Sequence, residues 1–200
     1  EGIALAKTQL AFAIDQSGRD EVALGYYKEA LAIFDSLNNK RHLPFINALQ
    51  GIIYLQKGDT INANAFIGKA MQQFSANNDV ASKSRLYSRL GEVYLEKNQY
   101  AKSIENFTAQ LKFSRTLKDN DQIAVALRDI GIAYFKKGDF DKALDYFNRS
   151  LAVKDDILVK KLVKDSYLQI VTVSSFKKDF DKADKYHELY RSLKKEIAKI

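Results

Sequence analysis

DIGIAYFKKGDFDKALDYF, residues 129–147, reads as two amphipathic helices joined by a tight turn, with a glycine set inside the first. An interior glycine costs a helix about 1 kcal/mol relative to alanine, so Gly131 needs a reason. Leu127, Ile130, Gly131 and Tyr134 fall at i, i+3, i+4 and i+7, on one helical face. Lys136 and Lys137 suit the last turn of that helix and Gly138 its C-cap. Asp139 is placed to cap a second helix whose apolar face is Phe140, Ala143, Leu144, Phe147 and Leu151.

The same pattern recurs every 40 residues. Gly51 and Gly91 precede Gly131 in one column, and Tyr54, Tyr94 and Tyr134 follow their glycines by three. Twelve residues after each glycine stands a small residue, Ala63, Ser103 or Ala143, and four further on Ile67, Phe107 or Phe147. One step back, Ala11, Ala23 and Tyr27 occupy the same columns. One step forward, the glycine column holds Val171 or Thr172, and FKKDFDKA (176–183) echoes FKKGDFDKA with the glycine deleted. Five units result, each a helix pair, with polar turns such as LNNK (37–40), ANND (76–79) and KDND (118–121) between them. A residue without a Cβ lets the second helix of a pair approach the first, and burial of large apolar side chains, at ~1.5–3 kcal/mol each, offsets the glycine's helix cost.

Leu127, Ile130, Gly131, Tyr134, Ala143 and Phe147 resemble the tetratricopeptide repeat, and the likeness covers nearly the whole chain. The period departs from that family's usual length of about 34 residues, and the proline near the end of the second helix is missing from every unit. The longer unit is similar to a 40-residue subclass found in cell-polarity adaptors, bacterial peptide-sensing regulators and sensor regions of bacterial signalling proteins. The resemblance implies an all-α fold, a right-handed α-solenoid of antiparallel helix pairs. It implies a single array over 1–200, with repeats at about 4–40, 41–80, 81–120, 121–160 and 161–185, and residues 186–200 as a capping or connecting helix.

In such arrays the first helices of the pairs line a concave groove. The slots that the resemblance assigns to it hold Phe12, Ile52, Glu92, Ile132 and Val173 one after the glycine column, and Asp15, Leu55, Leu95, Phe135 and Phe176 four after it. Phe45, Ala48, Arg85, Ser88, Val125 and Arg128 precede it. An apolar stripe flanked by Arg85, Arg89 and Arg128 suits an amphipathic helix or an apolar peptide bearing an acid. Glu92, Glu96 and Asp129 lie within a turn of these arginines, so ion pairing among them is the competing use. Thr8, Phe12 and Ile52 stand where chaperone-tail-binding members carry lysine and asparagine, which disfavours that ligand class.

Composition narrows the function classes. One proline and 46% hydrophobic residues fit a folded helical protein, and the lack of cysteine rules out disulfides and thiolate metal sites while fitting either a cytoplasmic or a periplasmic setting. No H-E-x-x-H, Walker loop or G-x-G-x-x-G occurs, so no catalytic residue, metal or cofactor is expected. The net charge of +7 is spread among interleaved acids, which argues against a specific nucleic-acid site, and no apolar run suggests membrane insertion. The opening at Glu1 reads as that of a segment of something longer. The expected function is a non-enzymatic scaffold for a protein or peptide, as the sensory or interaction region of a bacterial signalling protein; a stand-alone assembly or chaperone-like adaptor is the alternative. Self-association is left open.

Overall fold

The computed structural model describes residues 1–154, 156–176 and 178–199. Among the described residues are ten helices: α1 (Gly2–Gln16), α2 (Asp20–Ser36), α3 (Leu43–Lys57), α4 (Thr60–Ala76), α5 (Val80–Glu96), α6 (Tyr100–Leu117), α7 (Asn120–Lys137), α8 (Phe140–Val153), α9 (Ile157–Phe176) and α10 (Phe180–Ile197). No strand occurs among the described residues, and the fold is an all-α solenoid of helix pairs. The chain divides into two compact units, Glu1–Arg89 and Leu90–Ile200, each with its own core.

A left-handed residue ends most helices, on a beat of 20. Gly18, Asn38, Gly58, Asn78, Asn98, Lys118, Gly138 and Lys178 all have positive φ. A left-handed residue lets the backbone turn back on the last carbonyls of the helix it ends, as where the Gly138 N–H donates to the Phe135 carbonyl at 3.0 Å. Aspartate takes over one residue later. Asp59, Asp119, Asp139 and Asp179 accept the backbone N–H three residues on, satisfying donors that a helix start leaves open. The turn between α8 and α9 breaks the beat, because Lys154 is extended, with φ −149° and ψ 120°.

The glycine column sits where the two helices of a pair touch. A Cβ on Gly131 would lie 2.5 Å from the Phe147 ring and 3.2 Å from the Ala143 carbonyl oxygen. On Gly91 it would lie 2.5 Å from the Phe107 ring, and on Gly51 2.6 Å from Ile67 Cγ1 and 3.0 Å from the Ile67 nitrogen. The small residue twelve positions on completes the contact. Ala63 and Ala143 are fully buried, and the Ser103 hydroxyl donates to the Gly91 carbonyl at 2.9 Å. The tyrosine column lies over the second helix of its pair. Tyr54 stacks on Phe66 and Tyr134 on Tyr146, both with ring centroids 5.5 Å apart. Lys102 covers Tyr94 at 5.3 Å, a cation–π contact. Ala23 is buried in the first unit's core with Tyr27, Phe34, Ile46 and Ile53.

The last pair differs from the sequence reading in register. Lys178, at φ 61°, takes the place that Gly138 holds one repeat earlier, so no residue is deleted from the turn. Forty residues then separate equivalent positions throughout, and Phe176 corresponds to the solvent-facing Lys136 rather than to Phe135. Phe176 is accordingly 91% exposed. Val171, not Thr172, stands in the glycine column. Ile200, at the end of the expected terminal segment, lies outside the described residues; α10 itself runs unbroken from Phe180 to Ile197.

Candidate functional site

In the first unit, five of the groove residues meet at one cleft between α3 and the first half of α5. Phe45, Ala48 and Ile52 form one wall, Arg85 and Arg89 stand on the other, and Leu49, Phe74, Ser82 and Leu86 complete the lining. Phe45 is 53% exposed although apolar, whereas Ile52, at 5%, forms the floor. The spacing explains the convergence. Residues 45, 48, 49 and 52 fall at i, i+3, i+4 and i+7 on α3, and 82, 85, 86 and 89 do the same on α5. Leu49 and Leu86 escaped the sequence reading because it took single columns rather than the whole stripe. Phe74 escaped because it lies on the second helix of a pair.

The positions four after the glycine behave otherwise. Leu55, at 3% exposure, is buried and offers no surface, because this last-turn residue is folded into the helix packing. Phe12 is exposed on α1. In the second unit Leu95 packs against the core of Phe107, Leu111 and Ile130. Ile132 and Phe135 pack against the core of Ala143, Leu144 and Phe147, with Phe135 edge-on to Phe140 at 5.3 Å. These three are half-buried and lean on cores.

Two carboxylates illustrate the electrostatics of these faces. Asp129 is buried and accepts from its neighbour Arg128, whose Nη2 stands 2.9 Å from Oδ1. Burial pushes the Asp129 carboxyl above its ordinary pKa, Arg128 opposes this, and Glu92 adds to it. Arg128 therefore has an internal partner. Asp79, just ahead of α5, accepts from the Ser82 N–H at 2.9 Å, and hydrogen bonds from Ser82 hold its carboxyl below the ordinary range, with Arg85 assisting. Among the described residues no cluster of histidine and carboxylate side chains has the makings of a metal site, and no helix is long and apolar enough to cross a membrane.

A tetratricopeptide repeat family model matches residues 79–156. The TPR repeat-containing protein MJ1428 of Methanocaldococcus jannaschii is 26% identical over 155 residues, 78% of this chain and 24% of that protein. The chain thus spans about a quarter of that curated relative's length. Among solved structures, the apo form of RapI superposes with a TM-score of 0.65 at 14% identity, covering 94% of this chain and 52% of that one. A STAND signal-transduction ATPase with a tetratricopeptide repeat sensor, from Pyrococcus horikoshii, gives 0.64 at 20% identity, over 98% of this chain and 30% of that one. BtubC from P. vanneervenii gives 0.63 at 18% identity, over 94% and 78%. At these identities the structural likeness speaks for the fold. Together with the glycine, tyrosine and small-residue columns and the paired helices, it gives the chain the fold of tetratricopeptide repeat proteins, with the family's sequence pattern matched over residues 79–156.

Proposed function

We propose that the chain is a non-enzymatic interaction scaffold and that the cleft between α3 and α5 holds a short apolar segment carrying a carboxylate. Tetratricopeptide folds generally serve as protein–protein interaction scaffolds, and that much sets the class of partner. One observation carries the finer reading: an exposed phenylalanine, Phe45, stands over an apolar floor facing Arg85 and Arg89. Solvent-exposed aromatic surface beside guanidinium groups suits a ligand that buries an apolar side chain and offers a carboxylate oxygen to an N–H fork. The setting we propose is the sensory or interaction region of a larger bacterial signalling protein. In support, the chain's curated relative extends far beyond the aligned part, and the 40-residue beat matches the subclass that the sequence resembles.

Selection of a displayed random-peptide library on the chain tests this reading. Enriched peptides should pair an apolar residue with Asp or Glu. Phe45→Ala and Arg85→Ala should each weaken them about tenfold or more while leaving thermal melting nearly unchanged. Peptides indifferent to both substitutions would place binding elsewhere, and no enrichment would remove the cleft as a peptide site.

A further inference from the structure

We propose that the crevice between the start of α8 and the α9–α10 pair binds a small aromatic molecule bearing a hydroxyl, in the place that a tyrosine ring fills earlier in the chain. Tyr54 and Tyr134 seal the seam between successive helix pairs. Tyr54 packs against the core of Tyr27, Phe34 and Ile46, which includes α2 of the pair before. Tyr134 packs both against Phe107 and Leu111 of α6 and against Ala143 and Phe147 of its own pair. Its ring lies on Tyr146 and beneath the Lys142 ammonium, 5.3 Å from the centroid. Forty residues on, the stacking partner and the lysine recur as Tyr186 and Lys182, but the tyrosine column itself holds Ser174.

With a serine there, the seam is open. A crevice of about 610 Å³ runs between Phe140 of α8 and Ile170, Val173 and Ser174 of α9. That volume falls within the range of small-molecule sites, roughly 300–1,000 Å³. The groups that would have held a tyrosine make other contacts. Tyr186 meets Tyr167, with centroids 5.7 Å apart, and Lys182 reaches back to Asp141 of the pair before at 3.0 Å. All of these residues belong to the second unit, so the site is independent of the reading given to the α3–α5 cleft.

The lining sets the chemistry of the ligand. Phe140, Ile170 and Val173 offer apolar contact to a ring, and Lys182 stands where Lys142 makes its cation–π contact. Lys142 makes that contact while paired with Asp139, so the Lys182–Asp141 pair does not prevent it. Ser174 is 5% exposed, and its hydroxyl has no partner among the described residues. A ligand hydroxyl would supply one. Asp139, Asp141 and Asp179 outnumber Lys137 and Lys182 around the crevice, which disfavours a ligand carboxylate and suits a neutral phenol.

Titration of the 200-residue chain with p-cresol, the tyrosine side chain as a free molecule, tests the proposal. The amide NMR shifts of Phe140, Ile170, Val173 and Ser174 should move saturably. The control 4-methylcyclohexanol, which has no π face, should bind about fivefold more weakly. Ser174→Tyr should place a tethered ring in the crevice, abolishing the p-cresol shifts and raising the melting temperature. Should that variant fail to fold, Lys182→Ala removes only a surface ion pair from the fold and should weaken p-cresol about fivefold. No saturable shift at these residues, equal affinity for the two probes, or binding indifferent to the substitutions would refute the proposal.

Discussion

At the scale of the residue, the surroundings of a carboxylate decide whether it supports the fold in acid or at neutral pH, and Asp79 and Asp129 act in opposite senses. Hydrogen bonds from Ser82 hold the Asp79 carboxyl below its ordinary value of 3.8. The unfolded chain therefore protonates first as the pH falls, so the cap's contribution is fully present above about pH 5 and is lost through 3.8 and below. Asp79→Ala should cost about 1 kcal/mol at pH 7. Asp79→Asn should retain most of that stability and shed its acid dependence, as urea denaturation at pH 7 and pH 3 will read. Burial raises the Asp129 carboxyl against the pull of Arg128. Its contribution is present below 3.8 and declines as the pH rises through the folded value. Asp129→Asn should therefore gain stability relative to the parent between pH 4 and pH 7; a constant difference across that range would show that the buried carboxylate is fully compensated by its partners.

At the scale of the element, the 20-residue beat of left-handed residues and aspartate caps sets where each helix stops and the next begins. Gly138 and Asp139 were legible because their residue types announce the conformation. Lys118 and Lys178 were not, since lysine has no preference for positive φ, and the turn is imposed by the helices on either side. That is why FKKDFDKA reads in the sequence as a turn with its glycine deleted, which places Phe176 one position out of register. A side chain at Lys118, with φ 55°, bears the Cβ–carbonyl crowding that glycine lacks. Lys118→Gly should raise stability by about 0.5–1 kcal/mol in thermal or chemical unfolding. An unchanged or lower midpoint would show that the lysine's own contacts outweigh the backbone strain.

At the scale of the whole molecule, an array of repeats stores stability locally. Phe147 is fully buried in a second-unit core with Ala143, Leu144 and Val159, and truncation to alanine should cost about 3–5 kcal/mol. Hydrogen exchange should quicken across α7–α10 while α1–α3 keep their protection; uniform quickening would mean one cooperative block. The fold was legible because its columns recur, and Gly131, Tyr134 and Ala143 can be recognised from Gly91, Tyr94 and Ser103. The site was legible only in part. Phe45, Ile52, Arg85 and Arg89 meet at one cleft, but periodicity alone did not tell that Leu55 would be buried or that Ile132 and Phe135 would lean on a core. What holds the repeats in shape, on this account, is the close approach of helices at Gly51, Gly91 and Gly131. The most direct test compares those glycines with Gly25 and Gly68, which lie on helices with nothing within 4 Å of a built Cβ. Alanine at Gly25 or Gly68 should stabilise the chain by up to about 1 kcal/mol through helix propensity. Alanine at Gly91 or Gly131 should instead destabilise it by about 1–2 kcal/mol, overpacking exceeding the same propensity gain. Stabilisation by alanine at Gly131 equal to that at Gly68 would contradict the account.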